Sequence, residues 1–282
     1  MSDNGYAKNV LVTTEWLADH LSDDNLVVAE VDESPELYDE GHVPGAVKLH
    51  WRDDLQHPVE RDLVDKPTFE RLLSERGIAN DTTLVLYGDK NNWFAAYAYW
   101  YLKIYGHGDV RILDGGRQKW IDEGRELTAE APSPAAGSYK AAERDESIRV
   151  YRDDVLAKLE SKGIALVDVR SPQEYSGELM APPGYEQEGA SRTGHIPGAQ
   201  SVPWATAVRD DGTFKSAGDL RELYGGKGVT PGKAVTAYCR IGERSAHTWF
   251  VLRELLGYQD VKNYDGSWTE WGNLVDVPIE KG

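Results

Sequence analysis

Short apolar runs alternate with helical patterns along the chain. "TLVLYG" and "AVTAYC" are apolar runs bounded by turn signals, and each predicts a buried strand. In "SAHTWFVLRELLG" apolar residues recur at helical spacing and Gly257 follows as a C-cap, which predicts a helix from near Ser245. "RDDVLAKLESKG" and "SAGDLRELYGGKG" show the same helical pattern. The order strand, turn, helix predicts an α/β fold in which a mostly parallel sheet is covered by helices on both faces.

The chain repeats several of its motifs once. "EGHVPGAVKLHW" (Glu40 to Trp51) returns as "TGHIPGAQSVPW" (Thr193 to Trp204), and "GHGDVRILDGGRQKW" returns as "GYQDVKNYDGSWTEW". A repeat of this length indicates a duplicated domain, because solenoid repeats are much shorter. We predict an N-terminal domain over residues 1–128, a Pro-, Ala-, Gly- and Ser-rich linker over residues 129–147, and a C-terminal domain over residues 148–282.

Charge and composition exclude several classes of partner. The chain has 31 basic and 48 acidic residues, a net charge of −17, so its surface repels nucleic acid and anionic membranes. No stretch approaches the ~20 apolar residues of a membrane span, and the N-terminus lacks the pattern of a signal peptide. Cys239 is the single cysteine, which fits a reducing compartment because it cannot form an intrachain disulfide. We therefore expect a cytoplasmic protein without nucleic-acid or membrane partners.

The candidate chemistry lies in "YCRIGERSAHTWF", where Cys239 ends a predicted strand at the sheet edge that binds ligands in such folds. A lone cysteine is most often a small buried hydrophobe, but Arg240, Gly242 and Arg244 suit an exposed, tightly curved loop. A thiol between these arginines and a helix N-terminus is expected to be held as thiolate. The backbone N–H groups from Arg240 to Ser245 are expected to form an anion-binding nest.

The length of this loop separates two chemistries. Cysteine-dependent phosphatases need Cys-x5-Arg to surround a phosphate, whereas four residues lie between Cys239 and Arg244. The smaller loop suits one additional sulfur atom, so sulfur transfer is predicted. The sequence has no Cys/His cluster at ligand spacing and no glycine-rich nucleotide loop, so neither a metal nor an organic cofactor is expected.

The six-residue cysteine loop, the two "GH(V/I)PGA" elements and "YDGSW" resemble the two-domain thiosulfate sulfurtransferases, the rhodanese family, over nearly the whole chain. The resemblance implies two tandem rhodanese-like domains, of which the second is catalytic and the first is silent. It implies that Cys239 takes the outer sulfur of thiosulfate as a persulfide and passes it to cyanide or a thiol acceptor. Arg240 and Arg244 are expected to bind the donor. The other residues of the predicted active-site loop are Ile241, Gly242, Glu243 and Ser245.

The first half is expected to be silent because our alignment of the halves places Asp89 opposite Cys239, and a carboxylate cannot carry a transferable sulfur. His42 and His195 occupy matching motifs in both halves. Because one of them lies in the silent half, both are predicted to fix a turn and not to act as bases.

Arg170 and Glu174, four residues apart, are predicted to form a structural ion pair. Some relatives carry an arginine near the position of Glu174 that contacts the donor, so the glutamate here shifts that task to the arginines of the cysteine loop. The segment from Gly177 to Thr193 has no counterpart in the first half, and either a lid, an acceptor-docking loop or a passive excursion fits it.

Two alternative functions stay open. A sister enzyme takes sulfur from 3-mercaptopyruvate, although its loop commonly has a small residue where this chain has Arg240. The other alternative is a non-enzymatic persulfide carrier whose partner performs the chemistry.

Overall fold

The apolar runs of both halves form the inner strands of two parallel sheets. The computed structural model describes residues 4–161, 164–185 and 189–282. One unit of the chain contains Asn9–Asp145 and Val208–Phe214, and we call it the N-terminal unit. The C-terminal unit contains Glu146–Ala207, Lys215–Gly282 and the described residues up to Lys8. The domain boundaries proposed from the sequence describe where one repeat ends and the next begins, and they stay a prediction.

The N-terminal unit has a parallel sheet with the strand order β1-β5-β4-β2-β3. Its strands are β1 Leu11–Val12, β2 Leu26–Glu30, β3 Val47–Lys48, β4 Thr83–Tyr87 and β5 Val110–Leu113. Its helices are α1 Thr14–His20, α2 Glu36–Glu40, α3 Lys66–Glu75, α4 Asp89–Ile104 and α5 Gly116–Asp122. Side-chain caps set where two of these helices begin, because Thr13 accepts from the N–H of Trp16 and Asp65 accepts from that of Thr68.

The C-terminal unit has a parallel sheet with the strand order β7-β6-β8-β9. Its strands are β6 Ile164–Asp168, β7 Gln200–Ser201, β8 Ala234–Tyr238 and β9 Val261–Asn263. Its α-helices are α6 Arg152–Ser161, α7 Pro172–Ser176, α8 Ala217–Gly225, α9 Glu243–Phe250 and α10 Ser267–Trp271. One-turn 3₁₀ helices cover Glu146–Ile148 and Trp204–Ala207, and a π-helical turn over Val251–Leu255 continues α9. The edge strand that β1 forms in the first sheet is reduced here to a single parallel bridge between Arg149 and Asn263.

Each sheet is buried by the helices that follow its strands. Leu84, Val85 and Leu86 in β4 are fully buried, and Val235 and Ala237 in β8 are at most 1% exposed. Strands buried on both faces require helices on both sides, so the predicted α/β architecture is confirmed. Among the described residues, no helix is long and apolar enough to span a membrane.

Candidate active site

The cysteine loop connects β8 to α9, and Cys239 follows the last residue of the strand. Gly242 has φ +102° and precedes the first residue of α9. A Cβ atom at Gly242 would lie 2.7 Å from the Cα of Asp265, so both the backbone conformation and the available space require glycine there. The helix begins at Glu243, earlier than the start predicted near Ser245, which places Glu243 and Arg244 in its first turn.

Cys239 is fully buried, and its sulfur is surrounded by polar groups of the loop. The backbone N–H of Gly242 donates to Sγ at 3.1 Å. The hydroxyl of Ser245 and the carboxylate oxygen Oε2 of Glu243 each lie 3.6 Å from Sγ. The backbone N–H of Ser245 also hydrogen-bonds to the sulfur. The sulfur therefore has backbone N–H donors, as in the predicted nest, and in addition a carboxylate acceptor, Glu243, beside it.

Residues outside the loop hold it in this shape. The side-chain amide of Asn263 donates to the carbonyl of Gly242 at 2.9 Å, and its oxygen accepts from the hydroxyl of Ser245 at 2.6 Å. Ser267 accepts from the N–H of Cys239 at 3.1 Å and donates to the carbonyl of Tyr264 at 2.7 Å. Ser245 has one hydroxyl proton, and its shortest contact is with Asn263. The hydroxyl therefore donates mainly to Asn263 and stabilises the loop, and its contact with the sulfur is secondary.

Sequence reasoning missed Asn263 and Ser267. Ser267 adopts φ +53°, and the corresponding residue of the first half is Gly116 with φ +60°. The signal was present in the repeat itself, because "LDGGRQKW" becomes "YDGSWTEW" and a serine replaces a glycine in a left-handed conformation.

The thiol is not held as thiolate in this arrangement. Burial raises the pKa of the Cys239 thiol, and the charge of Glu243 raises it further, whereas Arg244 and the hydrogen bonds of Ser245 lower it. The net direction is upward, so the expectation of a resting thiolate is wrong. The physical reason is that the sulfur lies fully inside the protein with a carboxylate beside it.

Arg244 forms a bidentate ion pair with Glu174 of α7, and both N···O distances are 3.0 Å. Glu174 is in turn fixed by a capping box, in which Ser171 and Glu174 each accept from the other's backbone N–H. Burial alone would raise the pKa of the Glu174 carboxyl, but Arg244, the N–H of Ser171 and the charge of Arg170 together outweigh burial and lower that pKa. The partner of Glu174 is thus a residue of the cysteine loop.

The predicted ion pair between Arg170 and Glu174 is wrong. The guanidinium of Arg170 binds Asp168, with Nη2 to Oδ2 at 2.5 Å, and donates to the carbonyl of Gly194 at 2.6 Å. It also lies over the ring of Trp268 at 4.5 Å. Spacing of four residues failed as a guide because α7 begins only at Pro172, so Arg170 and Glu174 do not share a helix.

Arg240 lies under the segment that has no counterpart in the first half. Its guanidinium is 4.6 Å from the ring centre of Tyr185 and donates to the carbonyl of Tyr185 at 3.2 Å. Its Nη2 atom is 3.9 Å from Oε1 of Glu243. Residues 186–188 of the inserted segment lie outside the described residues. The described part of the insertion therefore contacts the predicted active-site loop through Tyr185.

The two histidines occupy equivalent structural places. Nδ1 of His42 binds the carbonyl of Tyr38 and Nδ1 of His195 binds that of Tyr175, both at 2.8 Å. Each ring also stacks on that tyrosine, with ring centres 3.8 Å apart in the first half and 3.7 Å apart in the second. These matched contacts support the prediction that the histidines fix a turn.

The first half has the same strand end without the cysteine. Tyr87 ends β4 and Tyr238 ends β8, and each hydroxyl accepts from the backbone N–H that follows the histidine of the repeated motif. The residue after the tyrosine is Gly88 in the first half and Cys239 in the second. Gly88 is therefore the counterpart of Cys239, and the alignment that placed Asp89 there is wrong by one residue. Asp89 corresponds to Arg240.

The fold and the loop define a tandem α/β protein with a buried cysteine in a loop that contributes a backbone donor to its sulfur. A family profile described as a rhodanese-like domain matches residues 13–123 and 151–274, one match in each half. The chain belongs to the rhodanese family of sulfurtransferases.

The relatives cover the full length of the chain. The sulfur carrier protein TtuD of Thermus thermophilus is 61% identical over 99% of this chain and 99% of its own length. A protein of Saccharopolyspora erythraea named "Putative thiosulfate sulfurtransferase" is 59% identical over 97% of this chain and 96% of its own length. Among solved structures, a variant of EanB in complex with ergothioneine covalently linked with a persulfide cysteine gives a TM-score of 0.84 at 27% identity, covering 97% of this chain and 70% of that one.

Proposed function

We propose that this chain is a thiosulfate sulfurtransferase that carries sulfane sulfur as a persulfide on Cys239. The Cys239 sulfur, as thiolate, attacks the outer sulfur of thiosulfate. The bond between the two sulfur atoms of thiosulfate breaks, and sulfite leaves with the bonding electron pair. Cyanide or a thiolate then attacks the outer sulfur of the persulfide, and Cys239 leaves as thiolate. The enzyme alternates between two covalent forms, which predicts ping-pong kinetics.

The observation that carries this proposal is the placement of the Cys239 sulfur inside its loop. The N–H of Gly242 points at Sγ from 3.1 Å, at the N-terminus of α9, where negative charge is favoured. A persulfide anion needs a donor of this kind. The relative named for thiosulfate sulfurtransfer and the EanB variant with a persulfide cysteine support the same chemistry. The first domain is proposed to be silent because Gly88 has no side chain at the equivalent position.

The two arginines of the loop contribute differently to the proposed donor site. Two donors of Arg244 are engaged by Glu174, so we assign it a fixed positive charge near the sulfur. Arg240 is proposed to meet the sulfonate-like end of thiosulfate. Arg240→Gly should lower kcat/KM for thiosulfate by at least about tenfold, the ~1.4 kcal/mol scale of one charge-assisted contact. If the unaltered protein uses 3-mercaptopyruvate better than thiosulfate, this donor assignment is wrong.

The relative named as a sulfur carrier favours a second candidate, in which the persulfide on Cys239 is handed to a protein acceptor. Both candidates require Cys239 to be loaded. Steady-state turnover with cyanide or a small thiol separates them, because a pure carrier loads once and then stalls.

Intact-mass spectrometry tests the shared step. Thiosulfate should raise the protein's mass by one sulfur atom, and cyanide should remove that atom. Cys239→Ser should fold, as judged by circular dichroism, and should show neither change. Turnover that persists in the Cys239→Ser variant would falsify the assignment.

A further inference from the structure

The carboxylate of Glu243 is in contact with the atom that the proposed reaction uses. Glu243 is 2% exposed, and its Oε2 atom lies 3.6 Å from Sγ of Cys239, within reach of an S–H···O hydrogen bond. The contact is built into the chain, because Cys239 precedes the helix start and Glu243 is the first residue of α9. A buried carboxylate beside a buried sulfur requires an explanation, since two anions in contact at low dielectric repel each other strongly.

We propose that Glu243 is a catalytic residue that accepts the proton of the Cys239 thiol during sulfur loading and returns it during unloading. The inference rests on the proposed function, because it assigns a proton carrier to the same persulfide chemistry. Of the groups described in contact with Sγ, the N–H groups of Gly242 and Ser245 are donors and the hydroxyl of Ser245 is not basic enough to take a proton, so only the Glu243 carboxylate can accept it.

The protons and electrons of the cycle balance. In the resting enzyme one proton is shared between the thiol of Cys239 and the carboxylate of Glu243. Transfer of this proton to Glu243 leaves the thiolate, which forms the new S–S bond as sulfite leaves with its electron pair. The protonated carboxyl of Glu243 then donates a hydrogen bond to the anionic persulfide. Before loading, the hydrogen bond ran the other way, from the thiol to the carboxylate. When an acceptor thiolate or cyanide removes the outer sulfur, Cys239 leaves as thiolate and takes the proton back.

The charged and titratable groups around this pair fit a single shared proton. Arg240 lies 3.9 Å from Oε1 of Glu243 and favours its ionised form in the resting enzyme. The charge of Arg244 lowers the thiol pKa, but that arginine is held by Glu174 on α7. Asp265, which packs against the turn at Gly242, is neutralised by a bidentate pair with Arg149 at 3.0 and 3.1 Å.

His247 is the other titratable group of the first turns of α9. Burial lowers its pKa to about 3, so it stays neutral at physiological pH and does not compete for the proton. Burial and the charge of Glu243 raise the pKa of the Cys239 thiol, so the thiol is protonated before the donor arrives and needs an acceptor.

The decisive variant is Glu243→Gln, because two roles of the carboxylate predict opposite results. If Glu243 were only a negative charge that holds the thiol pKa up, its removal would lower that pKa and loading by thiosulfate would speed up at neutral pH. If Glu243 accepts the proton, loading should slow by about 10²-fold at neutral pH, the usual contribution of a positioned acid–base group. Single-turnover loading, followed by intact mass in rapid-quench samples, measures the rate.

The pH profile provides the second readout. The unaltered protein should load at a rate nearly independent of pH around neutrality, because the proton moves within the pair. Loading by Glu243→Gln should rise about tenfold per pH unit, because solvent must then remove the proton. Glu254→Gln is the matched control, since Glu254 is a buried carboxylate on the continuation of α9 that pairs with Lys8. The control should load like the unaltered protein.

The outcomes separate this inference from the proposed function. If the unaltered protein takes up no sulfur, the proposed function fails; if Glu243→Gln loads as fast as the unaltered protein or faster, only the role of Glu243 fails. Should Glu243→Gln not fold, Glu243→Asp decides. It keeps a carboxylate on a shorter stem, so a flat pH profile with a reduced rate supports the proposal and a steep profile overturns it.

Discussion

The ends of β4 and β8 are two copies of one structural position with different side chains. In both halves a tyrosine ends the strand, its hydroxyl accepts from the backbone of the repeated motif, and a helix begins within the next few residues. Only the second copy places a sulfur there, because Gly88 stands where Cys239 stands. We call the terminal tyrosine, its hydrogen bond and the helix that follows the frame. The frame is present in both halves, whereas the cysteine is present in one, so the frame has a structural role that does not depend on the cysteine.

The residues that directly follow the two positions carry opposite charges. Arg240 follows the cysteine, whereas Asp89 follows the glycine. Asp89 donates its backbone N–H to Asp32 at 2.7 Å, and burial raises the pKa of Asp32 to about 9 and that of Asp89 to about 7. Lys90, Asn91 and Asn92 stand within the bounds of α4 but are not helical, because they adopt φ of 44°, 58° and 64°. In the second loop only Gly242 lies in the left-handed region. The first loop therefore gathers carboxyl groups at the place where the second loop has Arg240.

The sharpest test of this comparison is to move the cysteine. A Cβ atom at Gly88 would lie 2.1 Å from the carbonyl oxygen of Val31, so the backbone must shift to accept any side chain. Gly88→Cys combined with Cys239→Ser should take up no sulfur from thiosulfate in intact-mass measurements. Gly88→Cys alone should lower the free energy of unfolding by about 1–3 kcal/mol or more, as overpacking does.

Gly108→Cys is the control for this prediction. It adds a cysteine to the same unit at a glycine where a Cβ atom would meet no other atom within 4 Å and where φ is not positive. It should leave both stability and sulfur uptake on Cys239 unchanged. Uptake of a sulfur atom by the cysteine at position 88 would show that the frame alone suffices for the chemistry.

The buried ion pairs of the two halves offer a second test. Glu174 binds Arg244 in the C-terminal unit, and Glu30 binds Arg117 at 2.6 Å in the N-terminal unit. Removing one partner of a buried pair typically costs about 3–5 kcal/mol, so Glu174→Gln and Glu30→Gln should both lower the free energy of unfolding in urea titrations. Glu174→Gln should in addition reduce kcat/KM for thiosulfate, since it releases an arginine of the cysteine loop. Loss of turnover in folded Glu30→Gln would mean that the first half takes part in catalysis.

A more gradual effect is expected from pH. Burial is the main cause that raises the pKa of Asp32 from 3.8 to about 9, with the neighbouring Glu30 adding to it. Folded protein therefore keeps a proton that the unfolded chain loses above its ordinary pKa, so stability falls as pH rises through this window. Each such group contributes at most ~1.4 kcal/mol per pH unit. Asp32→Asn should flatten the fall in urea-denaturation stability between pH about 5 and about 9. An unchanged slope in that variant would contradict the raised pKa.

The sequence predicted the parts of this structure that depend on local pattern. Apolar runs identified β4 and β8, and the repeated motifs identified the duplication and the sheet type. The alignment across the two loops was wrong by one residue because "YGDKNNW" and "YCRIGERS" share only the tyrosine. Strand register and the tyrosine hydrogen bonds are needed to place Gly88 opposite Cys239.

Long-range contacts account for the remaining errors at the site. Glu174 and Arg244 are 70 positions apart, and no spacing rule links them. The direction of the thiol pKa depends on complete burial of Cys239, which the charged residues around it in the sequence did not indicate. Arg240 likewise contacts the ring of Tyr185. Tyr185 belongs to a segment that has no counterpart in the first half, so the repeat could not predict its position.

The residues just before β1 have a consequence for the order in which the protein is made. Asn4 and Ala7 hydrogen-bond to the backbone of Ala217 and Leu255, and Lys8 pairs with Glu254. A ribosome that synthesises the chain from its N-terminus releases this segment long before any of those partners exist. The β-sheet of the N-terminal unit can fold while this preceding segment is still undocked. We expect residues 4–8 to dock late in folding, because their partners Ala217, Glu254 and Leu255 are synthesised more than 200 residues after them.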